Sequence, residues 1–125
     1  MRKIRVFLGL MTAASIAGMA NPAAAHHSFA SFDATKTITL KGTVKDFDWA
    51  NPHCWIDLDV TDASGKVTTW GIEGGPPSAL RRSGWRADSI SPGDKAVVTI
   101  HPKKDGTTGG SLMTVIVNGV QVGKP

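Results

Sequence analysis

Short runs of alternating apolar and polar residues fill the chain from about residue 37 onward. The clearest run has an apolar residue at every second position: Cys54, Ile56, Leu58 and Val60. This period of two is typical of a strand that buries one face and leaves the other in water. A second alternating stretch predicts a strand over residues 37–47, with Gly42 as a candidate bulge or tight bend. Runs of this length predict a small all-β fold.

Turn residues divide the rest of the chain into further short elements. Additional strands are predicted over residues 66–73, 95–101, 111–117 and 120–122. Ser78 can cap the start of a short helix and Gly84 can end it. Gly109-Gly110 marks a loop, and Asn118-Gly119 predicts a tight hairpin before the last strand.

The order of these elements predicts the architecture. Three strands, a short helix, two strands and a terminal hairpin arm match a five-stranded Greek-key barrel of the oligonucleotide/oligosaccharide-binding (OB) type, whose helix lies between strands three and four. We therefore expect an extended arm over residues 26–36 and an OB-like barrel over residues 37–125. A small open β-sandwich is the alternative.

The first 25 residues have the features of a removable secretory signal peptide. Arg2, Lys3 and Arg5 precede an uncharged run over residues 6–20, and the small residues 23–25 fit a signal peptidase site. Cleavage is expected after Ala25, with Ala24 as the alternative. The apolar run is shorter than the roughly 20 residues of a membrane span, so we expect a periplasmic protein without stable membrane insertion.

Removal of this leader changes the charge of the protein. Three of the 14 basic residues lie in the leader, which leaves 11 basic residues against 10 acidic ones. A domain so close to neutrality lacks the positive surface expected of a nucleic-acid binder, so nucleic acid is not expected among the partners. Cys54 is the only cysteine, so no internal disulfide can form.

Several short motifs lie along the chain beyond the leader. They are Ala25–Ala30, Phe32-Asp33, Gly42–Val44, Phe47, Trp49, Asn51–Ile56, Trp70, Glu73, Leu80, Gly84-Trp85, Pro92–Asp94, Asp105-Gly106 and Gly109-Gly110. With these motifs the chain resembles an uncharacterised family of small exported bacterial proteins that is known as a domain of unknown function. The Asn-Pro-His-x-Trp block is the most specific of them, although Cys54 departs from the small polar residue expected there. The resemblance implies export and a small β fold, and it implies no particular activity.

The histidines are the candidate metal ligands. Cleavage after Ala25 would make His26 the first residue, and its amine and imidazole could together chelate copper(II), with His27, His53 or His101 completing the site. Cleavage after Ala24 would make His27 the third residue, which suits a square-planar copper(II) or nickel(II) site. The alternative is that the histidine pair is a mobile polar chain start.

Exposed aromatic residues are the candidate ligand-binding groups. Trp55 falls on the polar face of its strand together with His53, and Trp49 lies just before it. Such rings could stack on sugars or bases, whereas the other large rings are expected to supply the core. Alternatively, His53 bonds a neighbouring loop and fixes the Asn51-Pro52 turn. Asp57 and Asp59 are expected on a solvated strand face.

These features predict a non-enzymatic, exported binding or accessory protein that takes a metal ion, a small ligand or a periplasmic protein. Copper binding through the new chain start is the first hypothesis. Recognition of a small molecule or glycan through exposed tryptophan and histidine is the second, and docking of a partner along a sheet edge is the third. The sequence contains no recognisable nucleophile motif or phosphate-binding loop, so an enzyme is the least expected class.

Overall fold

The computed structural model describes residues 30–124. Its elements are β1 (Ile38–Asp48), β2 (Trp55–Thr61), β3 (Val67–Glu73), the helix α1 (Pro77–Arg82), β4 (Lys95–Pro102), β5 (Gly109–Val117) and β6 (Val120–Gln121). The predicted signal peptide and the first four residues of the predicted arm lie outside the described residues. No helix among the described residues combines the length and hydropathy needed to cross a membrane.

The first five strands close into a barrel. β2 pairs with β1 and β3, and β4 pairs with β1 and β5, all in antiparallel fashion. The barrel is closed by a short parallel pairing between β3 and β5, in which Gly71 lies opposite Gly109 and Glu73 lies opposite Ser111. Because β3 and β5 meet in this way, the prediction of an all-β, OB-like barrel with a short helix between strands three and four is confirmed, and the open sandwich is excluded.

The core consists of the inward residues of these strands. Ile56, Leu58, Ile72, Ile100 and Val115 are at most 2% exposed. In β2 the residues between them, which include Trp55 and Asp57, point to the outside of the barrel. The alternation read from the sequence therefore assigned the two faces of β2 correctly.

The prediction that Gly109-Gly110 marks a loop is wrong, because both residues begin β5. A Cβ atom on Gly109 would lie 2.9 Å from the carbonyl oxygen of Gly71, and one on Gly110 would lie 2.5 Å from that of His101. These glycines permit the close approach of β5 to the neighbouring strands where the barrel closes.

Two smaller predictions are also wrong. Helix α1 begins at Pro77 without a side-chain cap, so Ser78 lies inside the helix. The fixed φ angle of proline suits the first helical position, and this replaces the hydroxyl cap. In β1 the register is irregular between Val44 and Asp46, and Gly42 instead lies against the backbone of a residue in β2.

Both ends of the described chain pack against the barrel. Phe32 is 7% exposed and forms a bridge with Lys103 just after β4. At the other end, Lys124 donates its backbone N–H to the carbonyl of Ser83 at 2.7 Å. The tail therefore passes beside Trp85, which is only 5% exposed.

Candidate functional site

The outer surface of β2 carries an exposed tryptophan beside a bare stretch of backbone. Trp55 is 38% exposed, whereas its neighbour Ile56 is buried in the core. A Cβ atom on Gly71 would lie 4.0 Å from Cζ3 of Trp55 and 4.0 Å from Oδ1 of Asp57. The indole therefore lies close to the backbone of β3 at Gly71, next to a carboxylate.

A histidine–carboxylate pair flanks this tryptophan. His53 precedes β2 and follows a cis Asn51–Pro52 peptide bond. Its Nδ1 is hydrogen-bonded to Oε1 of Glu73, and the two side chains are 28% and 12% exposed. Because the carboxylate accepts a hydrogen from Nδ1, the Nε2 atom is the nitrogen that can meet another group. A carboxylate in this position fixes the orientation of a functional imidazole.

The strand register brings these groups onto one surface. Trp55 lies directly opposite Glu73, and Asp57 lies opposite Gly71. We call His53, Trp55, Asp57, Gly71 and Glu73 the β2–β3 face. It combines an apolar ring, two carboxylates and an oriented imidazole around a glycine that contributes no side chain.

Asp59 is the next outward residue of β2, and it is held by a neighbour on the same surface. The Thr69 hydroxyl donates to Oδ1 of Asp59 at 2.6 Å. Both residues are half-buried on the outside of the barrel. Asp59 therefore contributes to the acidic character of this surface while already having a hydrogen-bond partner.

Trp49, the third residue predicted to bind a ligand, has a different environment. Its ring packs edge-on against Phe47 with centroids 5.9 Å apart, and the Arg81 guanidinium lies 5.6 Å from the Trp49 ring centroid. Phe47 in turn packs against the core. These contacts place Trp49 at the margin of the core beside α1.

Two of the candidate metal ligands, His53 and His101, have different hydrogen-bond partners. The His101 Nδ1 donates to the carbonyl of Lys36 at 2.7 Å, whereas His53 is bonded to Glu73. Strand β5 lies between β3 and β4, with Ser111 paired to both Glu73 and His101. Residues 30–124 contain no group of three or more side chains suited to hold a metal ion. His26 and His27 lie outside the described residues.

Cys54 is a buried thiol. It is 1% exposed, and its burial raises the pKa of the thiol. Desolvation disfavours the thiolate, which is the reactive form and the form that binds metals. A thiol in this environment is expected to be unreactive.

Comparison with known proteins identifies the family. A family model described as a family of unknown function (DUF6152) matches residues 13–113, which is most of the chain. The chain belongs to this family. No curated protein matches the sequence of this DUF6152 protein. The match begins before the described residues and ends within β5.

Among solved structures, the DUF6152 protein is similar to the mitochondrial single-stranded DNA-binding protein Rim1 from S. cerevisiae. The TM-score is 0.50 and the sequence identity is 10%, over 66% of this chain and 94% of the Rim1 chain. At this identity the likeness shows the fold alone, which is the OB barrel.

This likeness corrects one prediction, because the same fold carries a single-stranded DNA-binding protein. The prediction that nucleic acid is not among the partners, which was based on the net charge, was therefore wrong. A net charge sums over the whole domain and does not report how the charges are distributed. Every arginine after residue 25 lies within residues 81–86, so a near-neutral sum coexists with a locally basic region.

The sequence predicted that Trp55 and His53 lie on one surface, but it did not predict the hydrogen bond between His53 and Glu73. The alternation of β3 could have indicated that Glu73 points outward. Its contact with His53, 20 residues earlier, depends on the register between β2 and β3. That register cannot be read from either strand alone.

Proposed function

We propose that this DUF6152 protein is an exported, non-enzymatic binding module that holds a small ligand on the β2–β3 face. The observation that carries the proposal is the exposed Trp55 indole beside the bare backbone of Gly71, flanked by the His53–Glu73 pair. The outer surface of strands two and three is where OB barrels bind oligonucleotides and oligosaccharides.

The chemistry of the face favours a polyhydroxylated ligand such as a glycan. An indole offers a large, rigid apolar surface against which the C–H side of a sugar ring can pack. The carboxylates of Asp57 and Glu73 accept hydrogen bonds from hydroxyl groups, and Nε2 of His53 supplies a further polar contact. Because both carboxylates carry negative charge, a neutral or cationic ligand suits the face better than an anionic one.

A panel of glycans, small molecules and a single-stranded oligonucleotide, screened by calorimetry, tests this proposal. We expect at least one glycan to bind, and we expect Trp55→Ala to weaken that binding by roughly 5- to 100-fold, the range for loss of a stacking ring. Val120→Ala is the control, because Val120 is 70% exposed on β6. If Trp55→Ala and Val120→Ala bind equally well, the β2–β3 face is not the site.

The non-enzymatic part of the proposal has its own test. An imidazole held by a carboxylate is also the arrangement of a general base. Each ligand that binds is therefore incubated with the protein and analysed for conversion by mass spectrometry. We expect every ligand to be recovered unchanged, and turnover that is lost in His53→Ala would contradict a purely binding role.

Export rests on the predicted signal peptide. Intact mass of the protein isolated from its native host is expected to correspond to a chain that starts at His26, recovered from the periplasm. A chain that retains Met1 in the cytosol would contradict export.

Copper binding at the processed chain start is a second candidate function, and the His26-His27 pair at the expected cut supports it. A terminal amine and an adjacent imidazole suit copper(II). Calorimetry with copper(II) compares the processed protein with a form that carries extra residues before His26. We expect the extension to weaken binding, whereas equal affinities would contradict a site built on the free amine.

A further inference from the structure

A concave surface with mainly basic side chains lies where α1 ends and the following turn begins. It is an open groove of about 720 Å³ lined by Arg81, Trp85, Arg86 and Asp88. Its volume falls within the roughly 300–1,000 Å³ that is usual for small-ligand sites. No residue of the β2–β3 face lines it, and neither does His53 or His101.

The arginines of this groove have no ion-pair partner within the described part of the chain. Neither Arg81 nor Arg86 forms an ion pair with a carboxylate among residues 30–124. Asp88 lines the same groove but does not bridge to either guanidinium. The two guanidinium groups outnumber the one carboxylate in the groove lining, so the groove can attract an anion.

A structural role for basic residues at a helix end does not account for this arrangement. Arg81 and Arg82 lie in the last turn of α1, where positive charge interacts favourably with the helix dipole. Arg86 lies beyond the helix but lines the same groove as Arg81. In addition, the Arg81 guanidinium lies over the Trp49 ring, 5.6 Å from its centroid, which restricts its position.

We propose that the Arg81–Arg86 groove binds the phosphate group of an anionic ligand. The planar fork of a guanidinium donates two parallel hydrogen bonds to a phosphate, and two such groups line this groove. A phosphate fills only part of the groove, so the rest of the ligand has room along Trp85. This site is separate from the β2–β3 face and does not depend on the function proposed for it.

Titration with inorganic phosphate, followed by the NMR signals of the four indole N–H groups, tests the proposal. We expect the signals of Trp49 and Trp85 to shift and those of Trp55 and Trp70 to stay in place. Arg81→Gln and Arg86→Gln should each weaken phosphate binding about tenfold or more, because each removes a charge-assisted contact.

Arg82→Gln is the matched control, since it removes the same charge from the same helix end without lining the groove. Arg82→Gln should retain binding. An equal loss in Arg82→Gln and Arg81→Gln would show diffuse charge attraction and overturn the proposal, as would the absence of any localised shift. Separate titrations with oligothymidylate and with glycerophosphate then distinguish a nucleotide phosphate from a lipid headgroup phosphate. The compound that shifts the Trp49 and Trp85 signals at the lower concentration identifies the source of the phosphate.

Discussion

Gly109 and Gly71 face each other in register where β5 closes the barrel, yet we expect only one of them to tolerate a methyl group. In Gly109→Ala the new Cβ would lie 2.9 Å from the Gly71 carbonyl oxygen and 2.9 Å from Cε of Lys103. The lysine chain can move aside. The carbonyl belongs to the β3 backbone that completes the barrel, so the two strands must separate.

The expected cost follows from this distance. Weak carbon–oxygen contacts lie at about 3.3–3.6 Å, so the strands must separate by about 0.4 Å or more. Overpacking of this kind costs about 1–3 kcal/mol. For a domain of about 100 residues each kcal/mol lowers the Tm by about 4–8 °C, so we expect Gly109→Ala to lower it by roughly 5–20 °C.

Gly71→Ala is the matched control on the opposite strand. Its new Cβ would meet its nearest neighbours, in Trp55 and Asp57, at ordinary contact distances of 4.0 Å. Loss of glycine's freedom in the unfolded chain then leaves the protein unchanged or up to about 1 kcal/mol more stable. Thermal and urea unfolding, followed by circular dichroism, compares both variants with the wild type. Equal midpoints for the two variants would refute the close-approach explanation of barrel closure.

Three further predictions concern Gly123 in the C-terminal tail, the buried thiol of Cys54 and the carboxylate of Asp62. Gly123→Ala should destabilise the protein more than Gly65→Ala in urea unfolding, because both glycines have positive φ but only Gly123 lies against Trp85. Cys54 should react with a thiol reagent in the native protein no faster than the protein opens, because the sulfur is buried away from the reagent and burial also raises the pKa of the thiol; rapid native labelling would contradict this. Hydrogen bonds from a neighbouring serine lower the pKa of Asp62, so its stabilising effect is present above about pH 4 and is lost as the pH falls through the lowered pKa. Asp62→Asn should therefore show a smaller loss of stability between pH 6 and pH 3 than the wild type, and an equal loss would contradict this contribution.

The faces of the strands were predictable from the sequence, whereas the contacts between strands were not. Alternation assigned Trp55 to the outside and Ile56 to the core, because a period of two is a local property of one strand. The pairing of His53 with Glu73 depends on the register of two strands and has no local signature.

The structural roles of two glycines and two arginines were also not predictable from the sequence alone. Gly109-Gly110 reads as a loop, since glycine permits both turns and close strand approach and the sequence does not distinguish them. The near-neutral net charge does not reveal Arg81 and Arg86, although both line one groove in the folded protein. Charge has to be placed on a surface before it indicates a partner.

The proposed ligand-binding surface of this DUF6152 protein is the β2–β3 face around Trp55. The most direct measurement is a titration of the tightest glycan from the binding screen, followed by the assigned indole N–H signals. We expect the Trp55 signal to shift in a saturable manner, while the signal of Trp70, which packs against the core, stays unchanged. A saturable shift confined to Trp49 or Trp85, with Trp55 unaffected, would contradict it.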